Sequence, residues 1–343
     1  MMSSIAPVRS VASGSRRSYV EILDEAWQQH LAPRESDAPT VVSLFAGCGG
    51  SSLGYSMAGY RELLAVEWDD NAAETFKLNF PDVPIHHGDI AKLSVEDCLE
   101  RAKLAPGELD ILDGSPPCQG FSTAGKRNLY DDRNQLFREY VRLLQGLRPR
   151  VFVMENVSGM VKGKMKLIFA EILRELKASG YQVSARLMNA MYFNVPQSRE
   201  RMIFVGVRED LGVAPSHPRG VATPLTVSRA FLGLKPSDVD QLSSLYLGYW
   251  NKANPGDAMG KSFGDWKMNP NRAANVIRKK VSCLAHWAEP RWLALNEFAT
   301  VASFPCGYRW IDKQSAVQRM GNSVPPLFMR AIAQHIREHI LDH

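Results

Sequence analysis

From residue 40 onward the chain alternates apolar, strand-like segments with turns and helix-like segments, and this alternation restricts the fold more than any other feature of the sequence. The first run, Thr40–Phe45 (TVVSLF), is almost continuously apolar, as in a parallel strand covered on both faces. The same pattern predicts further strands over 61–69, 83–90, 108–114 and 148–157. Two more strand-like segments, 181–193 and 199–210, close the series. The alternation predicts an α/β fold with a mixed, mostly parallel sheet and helices on both faces.

The pattern also divides the chain into parts. Residues 39–210 form the predicted main domain, whereas periodic patterns weaken over 211–290, where prolines interrupt the chain. Regular segments return over 291–343, which ends in a predicted C-terminal helix. Residues 1–38 are interpreted as a tail, within which Tyr19–Leu31 (YVEILDEAWQQHL) predicts one amphipathic helix. No apolar run approaches the roughly 18 residues that a membrane span needs, so no membrane partner is expected.

A glycine-rich turn, Phe45–Gly50 (FAGCGG), follows the first strand. In open α/β sheets, ligands bind at the carboxyl ends of the strands, and glycines there let the backbone approach the ligand. Glu67 ends the second strand, about where an acid holds a ribose diol, and Asp89 ends the third, where it can accept a hydrogen bond from an adenine amino group. Ser52 replaces the third glycine of the dinucleotide fingerprint, and there is no P-loop lysine. An adenosine ligand without phosphates favours S-adenosyl-L-methionine over ATP or NAD.

One thiol sits on an unusually stiff piece of backbone, in the stretch SPPCQGFS that follows the fourth predicted strand. Pro116 and Pro117 restrict the backbone before Cys118, so that its side chain is aimed, as a nucleophile requires. Most free cysteines are buried small hydrophobes, but a polar, proline-stiffened loop makes that interpretation the weaker one here. The five cysteines are an odd number without C-x-x-C spacing, which argues against disulfides or zinc and favours a reducing cytoplasm.

These segments together resemble the C5-cytosine-specific DNA methyltransferases of bacterial restriction–modification systems. The similar motifs are, in the family's order, FAGCGG at 45–50, SPPCQGFS at 115–122, ENV at 155–157, QSRER at 197–201 and GNSVPP at 321–326. Order and spacing agree from residue 40 almost to the C-terminus. One departure is LALNEFATVASFP at 293–305, where the family usually has Thr-x-x-Glu followed by Ala-Arg-Leu. Glu297 and the Phe304-Pro305 pair are retained, so this segment is expected to keep a structural role.

The resemblance implies a Rossmann-like S-adenosyl-L-methionine-dependent methyltransferase fold with a small, irregular target-recognition domain over 211–290. It implies S-adenosyl-L-methionine as the cofactor. The residues expected to bind it lie at the ends of the first three strands and in the GNSVPP segment: Phe45, Gly47, Gly49, Gly50, Glu67, Trp68, Asp89, Ile90, Asn322 and Ser323.

The resemblance also implies how the reaction proceeds. Cys118 adds as a thiolate to C6 of cytosine, which makes C5 nucleophilic towards a methyl sulfonium. Glu155, kept protonated by burial, meets the charge that develops at N3. Arg199 and Arg201 are expected to contact O2 and hold the carboxyl, with Arg201 the stronger candidate. The Pro116 carbonyl is expected to be free to accept a hydrogen bond from the cytosine 4-amino group.

The implied substrate is double-stranded DNA, from which the target cytosine must be flipped out. The residues expected to contact it are Pro116, Pro117, Gln119, Asn156, Gln197, Arg272 and Lys279. The stretch 120–133 resembles a lid closing over the base. The basic run 269–280 contains Arg272, Arg278, Lys279 and Lys280, and contact with phosphates is about as well supported as a solvated cluster. Tyr249, Trp250 and Trp266 are expected in the core.

The chain is expected to act as a monomer, with a separate cognate restriction endonuclease as a partner. Two alternatives remain. A tRNA cytosine-5 methyltransferase would share these motifs, but such relatives carry a Cys-Phe-Thr motif that is absent between 212 and 281. A catalytically silent DNA-binding regulator is disfavoured by the intact Cys118, Glu155 and glycine-rich turn.

Overall fold

A seven-stranded sheet forms the centre of the computed structural model, which describes residues 17–117, 135–161, 165–260 and 264–342. Its strands run β3-β2-β1-β4-β5-β7-β6 across the sheet. Their bounds are β1 Thr40–Leu44, β2 Arg61–Glu67, β3 Ile85–His87, β4 Ile111–Gly114, β5 Val151–Val157, β6 Tyr181–Asn189 and β7 Glu200–Arg208. Strands β1 to β5 pair in parallel, and β7 lies antiparallel between β5 and β6. The predicted mixed, mostly parallel sheet is therefore confirmed.

Helices cover both faces of this sheet. Their bounds are α1 Tyr19–Leu31, α2 Gly50–Met57, α3 Asp70–Asn79, α4 Val95–Ala102, α5 Gln135–Leu147, α6 Met165–Ala178, α7 Val227–Ala230, α8 Ser244–Lys252, α9 Leu295–Val301, α10 Lys313–Asn322 and α11 Pro326–Ile336. Successive strand residues face opposite cores. Val41 belongs to the core that contains residues of α1, α2, α9 and α11, whereas Val42 belongs to the core that contains residues of α4, α5 and α6. No helix in the described ranges is long and apolar enough to cross a bilayer.

Helix α1 confirms the helix predicted over Tyr19–Leu31. A capping box starts it: the Ser18 hydroxyl accepts a hydrogen bond from the Glu21 amide at 3.2 Å, and the Glu21 carboxylate accepts one from the Ser18 amide at 2.6 Å. Leu23 and Ala26 bury the apolar face of the helix completely. Residues 17–31 are thus an integral part of the fold, although the sequence placed them in a tail.

The region 211–290 is irregular, as predicted, but part of it packs into the main core instead of forming a separate unit. Its residues Val227, Met268 and Ile277 pack into the main core. A second, small core of Met259, Ala285 and Trp292 is covered by Tyr246, Tyr249 and Trp250. The strands β8 (Trp266–Lys267) and β9 (Leu284–Ala285) are only two residues long and pair in parallel.

The three aromatic residues expected in the core, Tyr249, Trp250 and Trp266, are partly buried and pack against the edges of the two cores. Trp250 donates from its indole nitrogen to the His286 carbonyl at 2.8 Å, and the Lys267 ammonium lies 3.6 Å from the centre of its ring. Tyr249 borders the small core and Trp266 the main core. Helix α8, which carries Tyr249 and Trp250, was not predicted, because it contains Gly248 and has no regular apolar period.

Candidate active site

The glycine-rich turn lies at the carboxyl end of β1 and has two different faces. Gly47 and Gly49 adopt φ angles of +57° and +90°, which favour glycine. A Cβ atom at Gly49 would lie 2.7 Å from the Phe80 ring, and one at Gly50 would lie 2.5 Å from the Val324 carbonyl oxygen, so this side is closely packed. A Cβ atom at Gly47 would meet nothing within 4 Å. The turn therefore packs on one side and leaves open space at Gly47.

Glu67 fixes the shape of this turn. One carboxylate oxygen accepts a hydrogen bond from the Gly47 amide at 2.7 Å, and the other accepts from the amides of Trp68 and Asp69, each at 2.9 Å. The sequence predicted only a ligand-binding role for Glu67. In the structure its carboxylate also joins the end of β1 to the corner between β2 and α3. The oxygen bound to Gly47 keeps further acceptor capacity for a ligand hydroxyl group.

The neighbouring predicted cofactor residues are partly accessible. Trp68 is 77% exposed, an unusual setting for a large indole and one suited to covering the base of a ligand. The exposed Asp89 accepts a hydrogen bond from the Ala91 amide at 3.0 Å. Ile90, by contrast, is buried in the core beneath the β3 end. The open space at Gly47, an exposed ring and carboxylates at two adjacent strand ends fit an adenosine-type ligand.

The C-terminal GNSVPP segment returns to the same turn. A Cβ atom at Gly50 would come within 2.8 Å of the Ser323 Cβ, so Ser323 packs directly on the turn, with Asn322 beside it at the end of α10. Arg319 on α10 pairs with Asp69 at 2.9 Å, next to Trp68. The structure therefore brings together residues of the predicted cofactor set that lie more than two hundred positions apart in the sequence.

Glu155 and Arg201 form an ion pair two strands away from the turn. Residue 155 is on β5 and residue 201 on the antiparallel neighbour β7, and the Arg201 Nε lies 2.5 Å from a Glu155 carboxylate oxygen. Both side chains are mostly buried, with 15% of the Arg201 side chain and 10% of the Glu155 side chain exposed. Glu155 is therefore half of an ion pair, and its partner is Arg201, the arginine named from the sequence as the stronger candidate to hold its carboxyl.

Arg199 has a different environment from Arg201. Its guanidinium donates from Nη2 to the Gly321 carbonyl at 3.0 Å, and its Nε has no hydrogen-bond partner within the described ranges. Burial, with repulsion from Arg201, lowers the pKa of Arg199 to about 9. Arg199 thus connects the start of β7 to the GNSVPP segment, and Arg201 is the arginine that pairs with Glu155.

The proline segment is held next to the ENV strand. Asn156 donates from Nδ2 to the Pro116 carbonyl at 3.2 Å, and its Oδ1 accepts from the Val157 amide at 2.8 Å. The Pro116 carbonyl therefore already has an intramolecular donor, contrary to the expectation that it is free, although a carbonyl oxygen can accept a second hydrogen bond. Pro117 is exposed. The predicted nucleophile Cys118, Gln119 and the predicted lid 120–133 lie outside the described residues.

The predicted DNA-contacting residues separate into structural and accessible ones. Gln197 is buried, donates to the Val301 carbonyl at 3.3 Å and accepts from the Ile277 amide at 3.4 Å, so its amide joins helix α9 to the region 211–290. Lys280 forms an ion pair with the fully buried Asp265 at 2.6 Å. Arg272 and Lys279 are exposed and remain accessible to a ligand.

Sequence reasoning missed one buried acid close to the site. Asp113 on β4, five residues before Cys118, is 3% exposed and accepts a hydrogen bond from the Tyr55 hydroxyl at 3.2 Å. Burial raises the pKa of Asp113 to about 7. Its position inside an apolar strand segment, ILDG, was the available signal. Through Tyr55 it connects the strand that leads to Cys118 with helix α2, which begins in the glycine-rich turn.

Comparison with known proteins covers nearly the whole described fold. Residues 39–232 and 237–338 match the family model for the C-5 cytosine-specific DNA methylase. The type II methyltransferase M.DdeI of Desulfomicrobium norvegicum is 41% identical over 371 residues, covering 86% of this chain and 88% of the relative. M1.HphI of Haemophilus parahaemolyticus is 32% identical over 323 residues, covering 87% of this chain and 86% of the relative.

A solved structure shows the same architecture. The crystal structure of a DNA modification methyltransferase encoded within an E. coli prophage superposes with a TM-score of 0.77 at 25% identity. The superposition covers 89% of this chain and 100% of that one.

Proposed function

Because the chain belongs to the C-5 cytosine-specific DNA methylase family, we propose that Cys118 and the Glu155–Arg201 pair carry out methyl transfer to a flipped-out cytosine. The chain is a DNA (cytosine-5-)-methyltransferase that uses S-adenosyl-L-methionine, and it belongs with the modification enzymes of restriction–modification systems. The observation that carries the proposed roles of these residues is the buried Glu155–Arg201 pair next to the Asn156–Pro116 contact.

The cofactor would lie across the carboxyl ends of β1, β2 and β3. The open space at Gly47 admits the ligand, the carboxylates of Glu67 and Asp89 accept from its hydroxyl and amino groups, and Trp68 covers its base. Asn322 and Ser323 close the site from the C-terminal segment. When bound, S-adenosyl-L-methionine supplies the methyl group as an activated sulfonium.

The proposed catalytic groups act on the cytosine ring itself. The Cys118 thiolate forms a bond to C6 as the C5–C6 double bond opens, which gives an enamine. Its C5 can then attack the methyl group of a sulfonium, whose sulfur leaves as a neutral thioether. Arg201 holds the Glu155 carboxyl, and proton transfer between that carboxyl and N3 neutralises the negative charge that develops there, while the Arg201 guanidinium stabilises the charge at O2. Loss of the C5 proton then expels the thiolate and restores the aromatic ring.

Recognition of double-stranded DNA is assigned to the region 211–290. Exposed Arg272 and Lys279 would contact phosphates, which position the duplex without reading its sequence. Gln197 is buried between the catalytic and recognition regions, so its proposed contribution is to hold them together and not to contact a base. We place the enzyme in the bacterial cytoplasm, as a monomer beside a separate cognate endonuclease.

Transfer of tritium from labelled S-adenosyl-L-methionine tests this function. The purified chain should label double-stranded DNA and not tRNA, and Cys118→Ala should abolish labelling while DNA binding persists. Label in tRNA alone would favour the RNA-modifying alternative. Absence of label in either nucleic acid would favour a silent DNA-binding regulator, and substantial activity of Cys118→Ala would exclude Cys118 as the nucleophile.

A further inference from the structure

We propose that helix α1 positions the glycine-rich turn 45–50 at the proposed cofactor site. Trp27 and His30 are the residues of α1 that hold Cys48 and Gly49 in place. This inference rests on the proposed cofactor site. The family match begins at residue 39, whereas α1 spans Tyr19–Leu31. Helix α1 therefore lies outside the part of the chain that the family model describes.

The first route runs from Trp27 through Tyr308 to the turn. The Trp27 and Tyr308 rings meet edge to face, with centroids 6.1 Å apart. A Cβ atom at Gly307 would lie 2.4 Å from the Trp27 indole nitrogen, so the chain accommodates the indole only because residue 307 is glycine. The buried Tyr308 hydroxyl donates to the Cys48 carbonyl. A displacement of Trp27 would therefore be transmitted to the peptide between Cys48 and Gly49.

The second route runs from His30 through Phe80. These two rings also meet edge to face, with centroids 5.0 Å apart, and Phe80 occupies the position that a side chain at Gly49 would need. Phe80 is in turn stacked on Phe76 at 4.5 Å. Both routes therefore end on the closely packed side of the turn, opposite the open space at Gly47.

The hydrogen bonds of His30 keep its ring in one orientation. Burial lowers the pKa of His30 to about 4, so the imidazole is neutral at physiological pH. Its Nε2 lies 3.2 Å from the Asn79 carbonyl, which can only accept, so Nε2 carries the hydrogen and Nδ1 accepts from the Ser56 hydroxyl at 2.8 Å. Arg34 in turn donates to the Ser56 hydroxyl oxygen at 2.8 Å, which completes the arrangement.

Helix α1 is fixed firmly enough to transmit this support. The Tyr19 hydroxyl at its start donates to the Asn194 carbonyl at 2.9 Å, and Arg34 beyond its end donates to the Ser56 carbonyl at 2.7 Å. Within the described ranges, no hydrogen bond or ion pair joins α1 to Glu155 or Arg201. Loss of Trp27 should therefore affect cofactor binding and not the chemical step.

The test separates these two effects with Trp27→Ala in the full chain. The dissociation constant for S-adenosyl-L-methionine, measured by isothermal titration calorimetry without DNA, should rise about tenfold, the size expected for loss of one edge-to-face contact. The KM for DNA, and kcat at saturating cofactor, should stay within about twofold of wild type. Trp27→Phe should restore most of the cofactor affinity. Gln29→Ala, on the exposed face of α1, should behave as wild type.

A second variant distinguishes a specific loss of cofactor binding from a general loss of folding. Tyr308→Phe removes only the hydroxyl that donates to the Cys48 carbonyl, and it should weaken cofactor binding several-fold with little change in melting temperature. Unchanged cofactor affinity in both variants would overturn the proposal, as would equal losses in kcat and in cofactor affinity. Because calorimetry needs no DNA, the cofactor affinities of these variants can be compared even if the proposed DNA reaction is not observed.

Discussion

The glycine-rich turn 45–50, at the proposed cofactor site, and the region 211–290, proposed to recognise DNA, are held in place by different kinds of contact. Around Gly49 and Gly50, atoms of α3, of the GNSVPP segment and of Tyr308 lie at van der Waals distance, and Glu67 binds three backbone amides. In the region 211–290, two-residue strands and a small core are supplemented by ion pairs such as Lys280–Asp265. The tightly packed part contains the residues shared with the family motifs. The loosely built part is where DNA recognition is proposed to occur.

This difference has a functional consequence. A site that orders one small cofactor benefits from rigid, closely packed backbone, whereas a surface that follows a deformed duplex benefits from adaptable segments. Changes in the first part should therefore alter catalysis or cofactor binding, and changes in the second should alter DNA binding. The variants of Glu155, Asp265 and Lys279 test whether these effects separate as the structure indicates.

The largest effect is expected on the catalytic side, from Glu155→Gln. Glutamine keeps the size of the side chain but removes the charge that faces Arg201, so kcat should fall by about 10³-fold. Rapid-quench single-turnover kinetics would measure the loss. Glu200→Gln, an exposed neighbour on β7, serves as the control and should keep full activity. A loss of less than about tenfold in Glu155→Gln would show that the pair has no catalytic role.

An intermediate effect is expected in the recognition region, from Asp265→Asn. The change removes the charge that binds Lys280 and weakens the hydrogen bond from the Tyr246 hydroxyl, which is 2.7 Å long. The free energy of unfolding should fall by about 2 kcal/mol, and DNA affinity should fall with it, while cofactor affinity is retained. Asp240→Asn, which breaks an exposed pair with Lys313, is the matched control and should cost much less. Equal losses of DNA and cofactor affinity would contradict the separation of the two regions.

A smaller, pH-dependent effect is expected from Asp113→Asn. Burial raises the pKa of Asp113 from 3.8 to about 7, and burial, with repulsion from Asp113, raises that of Glu62 from 4.5 to about 8. The folded chain keeps these protons where the unfolded chain releases them, so stability should fall as pH rises from about 4 to about 8.

Asparagine cannot ionise but can still accept the hydrogen bond from Tyr55. Between pH 5 and pH 8, the melting temperature of Asp113→Asn should therefore fall by roughly 3 °C less than that of wild type. Differential scanning calorimetry would measure this, with the exposed Asp82→Asn as control. Identical pH profiles for wild type and Asp113→Asn would show that Asp113 does not hold a proton in the folded chain.

The smallest effect is expected from Lys279→Ala, which removes one exposed charge from the recognition region. If Lys279 contacts a phosphate, DNA binding should weaken several-fold, and the slope of log K against log salt should become shallower by about 1. Lys77→Ala on α3 removes the same charge outside the recognition region and should leave the slope unchanged. A slope equal to that of wild type for Lys279→Ala would remove this residue from the DNA interface.

Strands and helices with a clear apolar period could be predicted from the sequence. Helix α1 begins and ends where its pattern indicated, and the strands around the glycine-rich turn follow runs such as TVVSL. Helix α4, by contrast, is only eight residues long and was not predicted. Local patterns of this kind depend on neighbours in sequence, so one chain is enough to recognise them.

The partners of individual site residues could not be predicted, because they depend on strand register and on distant segments. Arg199 and Arg201 are two residues apart in one motif, yet one binds the Gly321 carbonyl and the other Glu155. Glu297 was correctly expected to be structural. It is buried, pairs with Arg291 at 2.7 Å and caps α9 at the Ala294 amide. Its partner Arg291, however, lies outside every motif.

The most direct test of the account is covalent trapping on DNA that contains 5-fluorocytosine. Fluorine at C5 blocks the final elimination, so the enzyme with S-adenosyl-L-methionine should remain bonded to the DNA. Mass spectrometry of the digested complex should then place the modified base on the peptide that contains Cys118. An adduct through any other residue, or methylation of normal DNA without any trapped complex, would contradict the account.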